Sequence, residues 1–159
     1  MYQSVIFDVR GTNTEPFFDC DAIRREIGIS DDHASILDAL DQMTIEDRSD
    51  AEGILKRHED AAVSESTLNT GAKETLSTRR EKSIHIGVLT RNRCSSVLAV
   101  AAKHSLEFDA IIGREDGPVK PDAFGVLEIC RQFAVRAEET LLVGDYLFDL
   151  LCAKEAGAV

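Results

Sequence analysis

No apolar run in the 159-residue chain approaches the ~20 residues that a membrane-spanning helix needs, and basic side chains are in deficit. Lys and Arg number 18 against 29 Asp and Glu, for a net charge of −11. A phosphate backbone is gripped by a basic face, so no nucleic-acid partner is expected, and no membrane partner either. Cys-x-x-Cys is absent; Cys20, Cys94, Cys130 and Cys152 are scattered, and His33, His58, His85 and His104 form no paired spacing. That argues against a zinc site and for reduced thiols in or near the core. The opening Met1-Tyr2-Gln3-Ser4-Val5 carries neither a charged n-region nor a long apolar h-region, so no secretory signal is expected and the expected location is cytoplasmic. Internal repeats and low-complexity segments are lacking as well.

What is present suits one α/β core with a small insertion. Acidity is concentrated between Glu15 and Asp60, which hold 14 Asp and Glu against 5 Lys and Arg. This stretch reads as helical. Residues 21–27 form one pattern closed by Gly28, and Ile36, Leu37, Leu40 and Met43 recur at helical spacing. Ile54, Leu55, His58 and Ala62 do the same, so the charges are expected on solvated helix faces.

The flanking sequence alternates apolar strands with amphipathic helices. Strands are expected at 4–7, 84–89, 110–112 and 141–143, and helices at 72–82, 96–104, 123–133 and 147–156. Right-handed βαβ crossovers make this a doubly wound parallel sheet, a Rossmann-like core. Residues 1–14 and 70–159 would form the core and 15–69 a helical insertion after the first strand.

In such a sheet ligands bind beyond the carboxyl ends of the strands. Those exits carry Asp8, Thr90 and Gly144-Asp145, while Lys120 lies in the loop Gly117-Pro118-Val119-Lys120-Pro121 after the third strand. A carboxylate such as Asp8 is both a nucleophile and a hard oxygen ligand, and Asp145 and Asp149 add further oxygens of the kind Mg²⁺ prefers. Thr90 would offer its hydroxyl and backbone N–H to phosphate oxygens, and Lys120 would offset charge building on them. Singly, each is commonplace: an Asp at a strand end is often a cap, and a Lys is usually on the surface. Together they suit a phosphoryl group held beside a divalent cation.

Val5-Ile6-Phe7-Asp8-Val9-Arg10-Gly11-Thr12 resembles the first motif, hhhDxDGT, of the haloacid dehalogenase superfamily. Val88-Leu89-Thr90-Arg91-Asn92 is similar to its second motif, Val119-Lys120-Pro121-Asp122 to its third, and Gly144-Asp145 through Asp149 to its fourth, GDxxxD. The four occur in the family's order, and the insertion matches a small helical cap in position and character. The resemblance implies a Mg²⁺-dependent phosphatase acting on a small phosphorylated substrate. Asp8 would form an aspartyl-phosphate, with Thr90 and Lys120 as its catalytic companions. Asp8, the Arg10 carbonyl, Asp145 and Asp149 would hold the metal. Arg10, Gly11, Thr12, Thr90, Arg91, Asn92 and Lys120 would bind substrate. The resemblance also implies one more strand after the fourth motif. Without it an open sheet edge remains, which a homodimer would cover.

One position departs. The family's phosphatases place a second Asp two residues after the nucleophile, as general acid and then general base; this chain has Arg10. A guanidinium stays protonated and cannot alternate between those roles. Three readings follow. The chain is a slow or specialised phosphatase whose proton carrier lies elsewhere, with Glu15 and His33 as candidates. Alternatively Arg10 pairs with Asp145 or Asp149 and leaves a silent binding or regulatory protein. Lastly, a metal-independent dehalogenase needs no acid, because halide leaves unaided. Of the remaining features, Arg91 and Arg93 are expected as solvated helix-start residues, residues 113–117 as a turn, and Asn13 as a polar intrusion where the family is apolar.

Overall fold

The computed structural model describes residues 1–15, 19–30 and 35–159. The chain divides into two compact units, Met1–Pro16 with Ser66–Val159, and Phe17–Glu65.

In the first unit, β1 (Ser4–Phe7), β2 (His85–Leu89), β3 (Ala110–Ile112) and β4 (Thr140–Val143) form one sheet of order β3-β2-β1-β4, every pair parallel. The crossovers are helical: α4 (Ala72–Glu81), α5 (Cys94–His104) and α6 (Phe124–Phe133), with α7 (Leu147–Ala156) after β4. This is the expected α/β parallel-sheet core. β1 reads Ser-Val-Ile-Phe and is buried throughout, because both sheet faces are covered. Val5 and Phe7 point into a cluster with Leu76, Ile86 and Leu106. Ile6 points the other way, into a cluster with Leu89, Ile112, Val126, Ile129 and Cys152. That alternation is the period of two of a strand between two helical layers.

Register places the strand exits side by side. Phe7 pairs with Val88 on one flank and with Val143 on the other. Asp8, Thr90 and Gly144 therefore leave the sheet at one edge. This is the topological switch point, where β1 sends its successors to opposite sides. On the outer side of β4, Val159 N–H donates to Thr140 O at 3.1 Å and Val159 O accepts from Leu142 N–H at 2.8 Å. The β4 edge expected to lie open is thus engaged by Val159 along these residues.

The second unit holds α1 (Cys20–Ile27), α2 (Ile36–Asp41) and α3 (Ile45–Glu65) around Ile23, Leu40, Ala51 and Leu55. Asp19 caps α1 by accepting from the N–H groups of Asp21 and Ala22, and Gly28 closes it in the left-handed region, as its position in the sequence suggests. Fully buried on α3 are Ala51, Leu55 and Glu59; of the expected stripe Leu55 is buried, while Ile54, His58 and Ala62 are half-buried. His58 is half-buried and its Nε2 lies 2.7 Å from Glu26, which also accepts from Arg57. No helix among the described residues is long and apolar enough to cross a membrane. All four cysteines are free.

Candidate active site

Asp8 directly follows β1, and its N–H still bonds the carbonyl of Val143 at 2.9 Å, which fixes the backbone at the sheet edge. Its Oδ1 accepts from Lys120 Nζ at 2.8 Å. The same Nζ donates to Asp149 Oδ1 at 2.6 Å, and the Lys120 and Asp149 side chains are only 5% and 4% exposed. Lysine and aspartate are rarely buried unless paired, and here one ammonium serves two carboxylates. Asp149 also caps α7: its Oδ2 accepts from Tyr146 N–H at 3.1 Å. Burial holds the Asp8 carboxyl above the usual carboxylate range, and the adjacent Lys120 charge opposes that shift without cancelling it.

Asp145 completes the group. Asp8, Asp145 and Asp149 each bring a carboxylate oxygen within 4.8 Å of the others. Two glycines make the crowding feasible. Gly11 has φ +79°, and a Cβ there would lie 2.1 Å from Asp145 Oδ2; a Cβ on Gly144 would lie 2.2 Å from Asp149 Cγ. Three convergent carboxylates and no soft donor form a set that fits a hard divalent cation such as Mg²⁺.

The cleft over these acids is lined by Asp8, Arg10, Thr90, Lys120, Asp145 and Asp149, with Arg91 and Asn92 on one wall. Tyr146 and Phe148, which no sequence signal singled out, line it too. Arg91 is not a merely solvated helix-start residue. Its Nη1 donates to Lys120 O at 2.5 Å, and its guanidinium lies 4.7 Å from the centre of the Phe148 ring. Gly11 and Thr12 do not line the cleft; they lie in the loop beneath it, Gly11 packed on Asp145.

Two further expectations need correction. The Thr90 N–H does not face the cleft as a phosphate donor, because it bonds Ile112 O at 3.0 Å and extends the β2–β3 ladder. The Thr90 hydroxyl lines the cleft and accepts from Asn92 N–H at 3.1 Å. Glu15 is exposed, accepts from the Thr67 hydroxyl at 3.2 Å and is not a cleft residue. His33 lies outside the described residues. The loop 113–117 is a turn as expected: Asp116 Oδ2 accepts from Gly113 N–H at 2.8 Å and from Cys94 Sγ at 3.0 Å. Asn13, read as a polar intrusion, is buried, with its Nδ2 donating to Asp8 O at 3.0 Å.

Comparison with known proteins agrees with this architecture. The profile of the haloacid dehalogenase-like hydrolases matches residues 18–159. A haloacid dehalogenase-like hydrolase domain-containing protein of Arabidopsis thaliana is 28% identical over 167 aligned positions, spanning 98% of this chain and 68% of that protein. A phosphoglycolate phosphatase of Haemophilus influenzae is 30% identical over 95 positions, 58% of this chain and 42% of that protein. Among solved structures, a hydrolase from Pseudomonas syringae superposes with a TM-score of 0.83 at 20% identity, over 99% of this chain and 82% of its own. CbbY from Rhodobacter sphaeroides in complex with phosphate gives 0.73 at 21% identity, over 99% and 84%. At those identities the structural matches speak for the fold alone. The profile, which spans most of the sequence, goes further: the chain belongs to the haloacid dehalogenase-like hydrolases.

Proposed function

We propose that the protein is a Mg²⁺-dependent phosphatase of small phosphorylated metabolites, working through an aspartyl-phosphate at Asp8 and slowed by Arg10. The observation that carries this reading is the bridging of Asp8 and Asp149 by Lys120, with Asp145 beside them at the switch point of the sheet. Asp8, the Arg10 carbonyl, Asp145 and Asp149 would hold the cation, which supplies charge neutralisation for the phosphoryl oxygens. Lys120 and the Thr90 hydroxyl contact those oxygens, and Arg10, Arg91 and Asn92 line the approach. Residues 15–69 correspond to the family's helical cap in chain position and helical content. Val159 engages the β4 edge that a second copy was expected to cover, so the homodimer expectation loses that argument, and sedimentation velocity tests the assembly.

The chemistry is two displacements at phosphorus. An Asp8 oxygen attacks, the bond from phosphorus to the leaving oxygen breaks, and that oxygen leaves with its electron pair. Water then attacks the aspartyl-phosphate, Asp8 departs as carboxylate, and one water proton must be taken up. Arg10 can neither protonate the leaving oxygen and recover nor receive that proton. Missing acid–base assistance costs roughly 10²–10⁴-fold. Acyl phosphates, whose leaving carboxylate needs no proton, are therefore the favoured donors over alkyl esters.

The test is hydrolysis of acetyl phosphate and p-nitrophenyl phosphate with Mg²⁺ by wild type, Asp8→Asn and Arg10→Asp. Slow wild-type turnover that Asp8→Asn abolishes supports the proposal, and activity that survives Asp8→Asn removes it. Arg10 in the cleft also favours a second reading, a silent binding or regulatory protein. An inactive wild type with an active Arg10→Asp would select it.

A further inference from the structure

Asn69 follows the segment that returns to the core after α3, and it meets four consecutive carbonyls of the loop behind Asp8. Its N–H donates to Asn13 O at 3.0 Å. Its side-chain Nδ2 lies 3.2 Å from Gly11 O, 2.8 Å from Thr12 O and 3.3 Å from Thr14 O. An amide nitrogen carries two hydrogens, so these three contacts share them, one hydrogen being split between two acceptors. Within the loop, Asn13 passes the constraint on. Its Nδ2 donates to Asp8 O at 3.0 Å. The N–H groups of Asn13 and Thr14 both bond Val9 O, at 2.9 and 2.8 Å. Asn13 and Thr14 are buried, so no water replaces these bonds cheaply.

We infer that Asn69 is a positioning residue for Asp8, acting through the loop and through Asn13. The inference rests on the proposed use of Asp8 and Asp145 as metal ligands, and adds to it what sets their separation. The loop that Asn69 holds begins at Asp8 and includes Gly11, whose α-carbon packs directly on the Asp145 carboxylate. A shift of the loop therefore alters the gap between the two acids. Only an amide serves here. Aspartate has the same shape but would aim a charged oxygen at three carbonyl oxygens, and an aliphatic side chain would remove this donor from all three, leaving Thr14 O with the Gly11 N–H at 2.8 Å.

The experiment compares wild type, Asn69→Asp and Asn69→Ala by Mn²⁺ binding, followed by electron paramagnetic resonance, and by amide hydrogen exchange. The expected result is Mn²⁺ affinity weakened roughly 10-fold, the effect typical of losing a group that orients a ligand. Protection would fall by a similar factor at the Gly11, Asn13 and Thr14 amides, while β2 and β4 keep theirs. Wild-type protection of those amides in Asn69→Asp overturns the inference. So does lost protection with unchanged Mn²⁺ affinity, because the role is then structural only. If wild type binds no Mn²⁺, the metal reading of the site fails, and the exchange comparison alone decides whether Asn69 fixes the loop. Should Asn69→Asp not fold, Asn69→Ala and Asn69→Ser carry the same comparison.

Discussion

Lys120 Nζ stands 2.6 Å from Asp149 Oδ1, joining the loop after β3 to the first turn of α7 through two side chains almost closed to water. The same nitrogen reaches Asp8, just past β1. Three separate chain segments are thus tied at one charged atom. Removing the ammonium would leave two buried carboxylates without a counter-charge, which costs far more than the intact group contributes.

Replacing Lys120 by methionine is expected to destabilise the protein by about 3–5 kcal/mol at neutral pH. The loss should shrink on acidification, as Asp8, whose carboxyl is held above its ordinary value by burial, protonates and no longer needs a cation. Urea denaturation at pH 7 and at pH 5 measures both. A deficit below about 1 kcal/mol at pH 7, the size of an exposed pair, would contradict the burial of this group.

Asp8 titrates above the usual carboxylate range because burial outweighs the pull of Lys120. Its folded-state pKa therefore exceeds its unfolded value. The stability it contributes is present below the ordinary carboxylate range and is lost as pH rises through the raised value. Metal-free Asp8→Asn should accordingly be more stable than metal-free wild type at pH 7, with the advantage fading as pH falls toward 4. Thermal unfolding in a chelator across that range checks the sign; a less stable Asp8→Asn at pH 7 would reverse it.

Gly11→Ala meets two obstacles. Its Cβ would lie 2.1 Å from Asp145 Oδ2, and its backbone stays at φ +79°. The left-handed conformation costs an L-residue about 1–2 kcal/mol, and the Asp145 carboxylate must swing aside. Lower thermal stability together with weaker Mn²⁺ binding is expected. Unaltered Mn²⁺ affinity would show that Asp145 is not held where a ligand must be.

The Cys94 thiol is pushed up to about 12, first by burial and then by its bond to Asp116. Only the thiolate is nucleophilic, so at pH 8 Cys94 should alkylate on the order of 10³-fold more slowly than a free thiol. The rate should rise with each pH unit through 11, and Asp116→Asn should raise it at fixed pH. Peptide mapping after iodoacetamide treatment reads all three. Above the ordinary thiol range the unfolded chain gives up this proton while the folded chain keeps it, so stability falls with rising pH there.

The alternation of apolar runs and amphipathic stretches determined the parallel sheet, because both depend only on spacing along the chain. It also put Asp8, Thr90 and Asp145 at strand exits, since a polar residue ends each buried run. Tertiary structure decided how those groups are used. The β2–β3 register gives the Thr90 N–H to Ile112, helix placement brings Asp149 to Lys120, and a folded-back segment sets Asn69 under the Asp8 loop. A charged or amide group chooses partners by distance and burial. Residues far apart in sequence acquire those only when the packed layers fix where each loop must run.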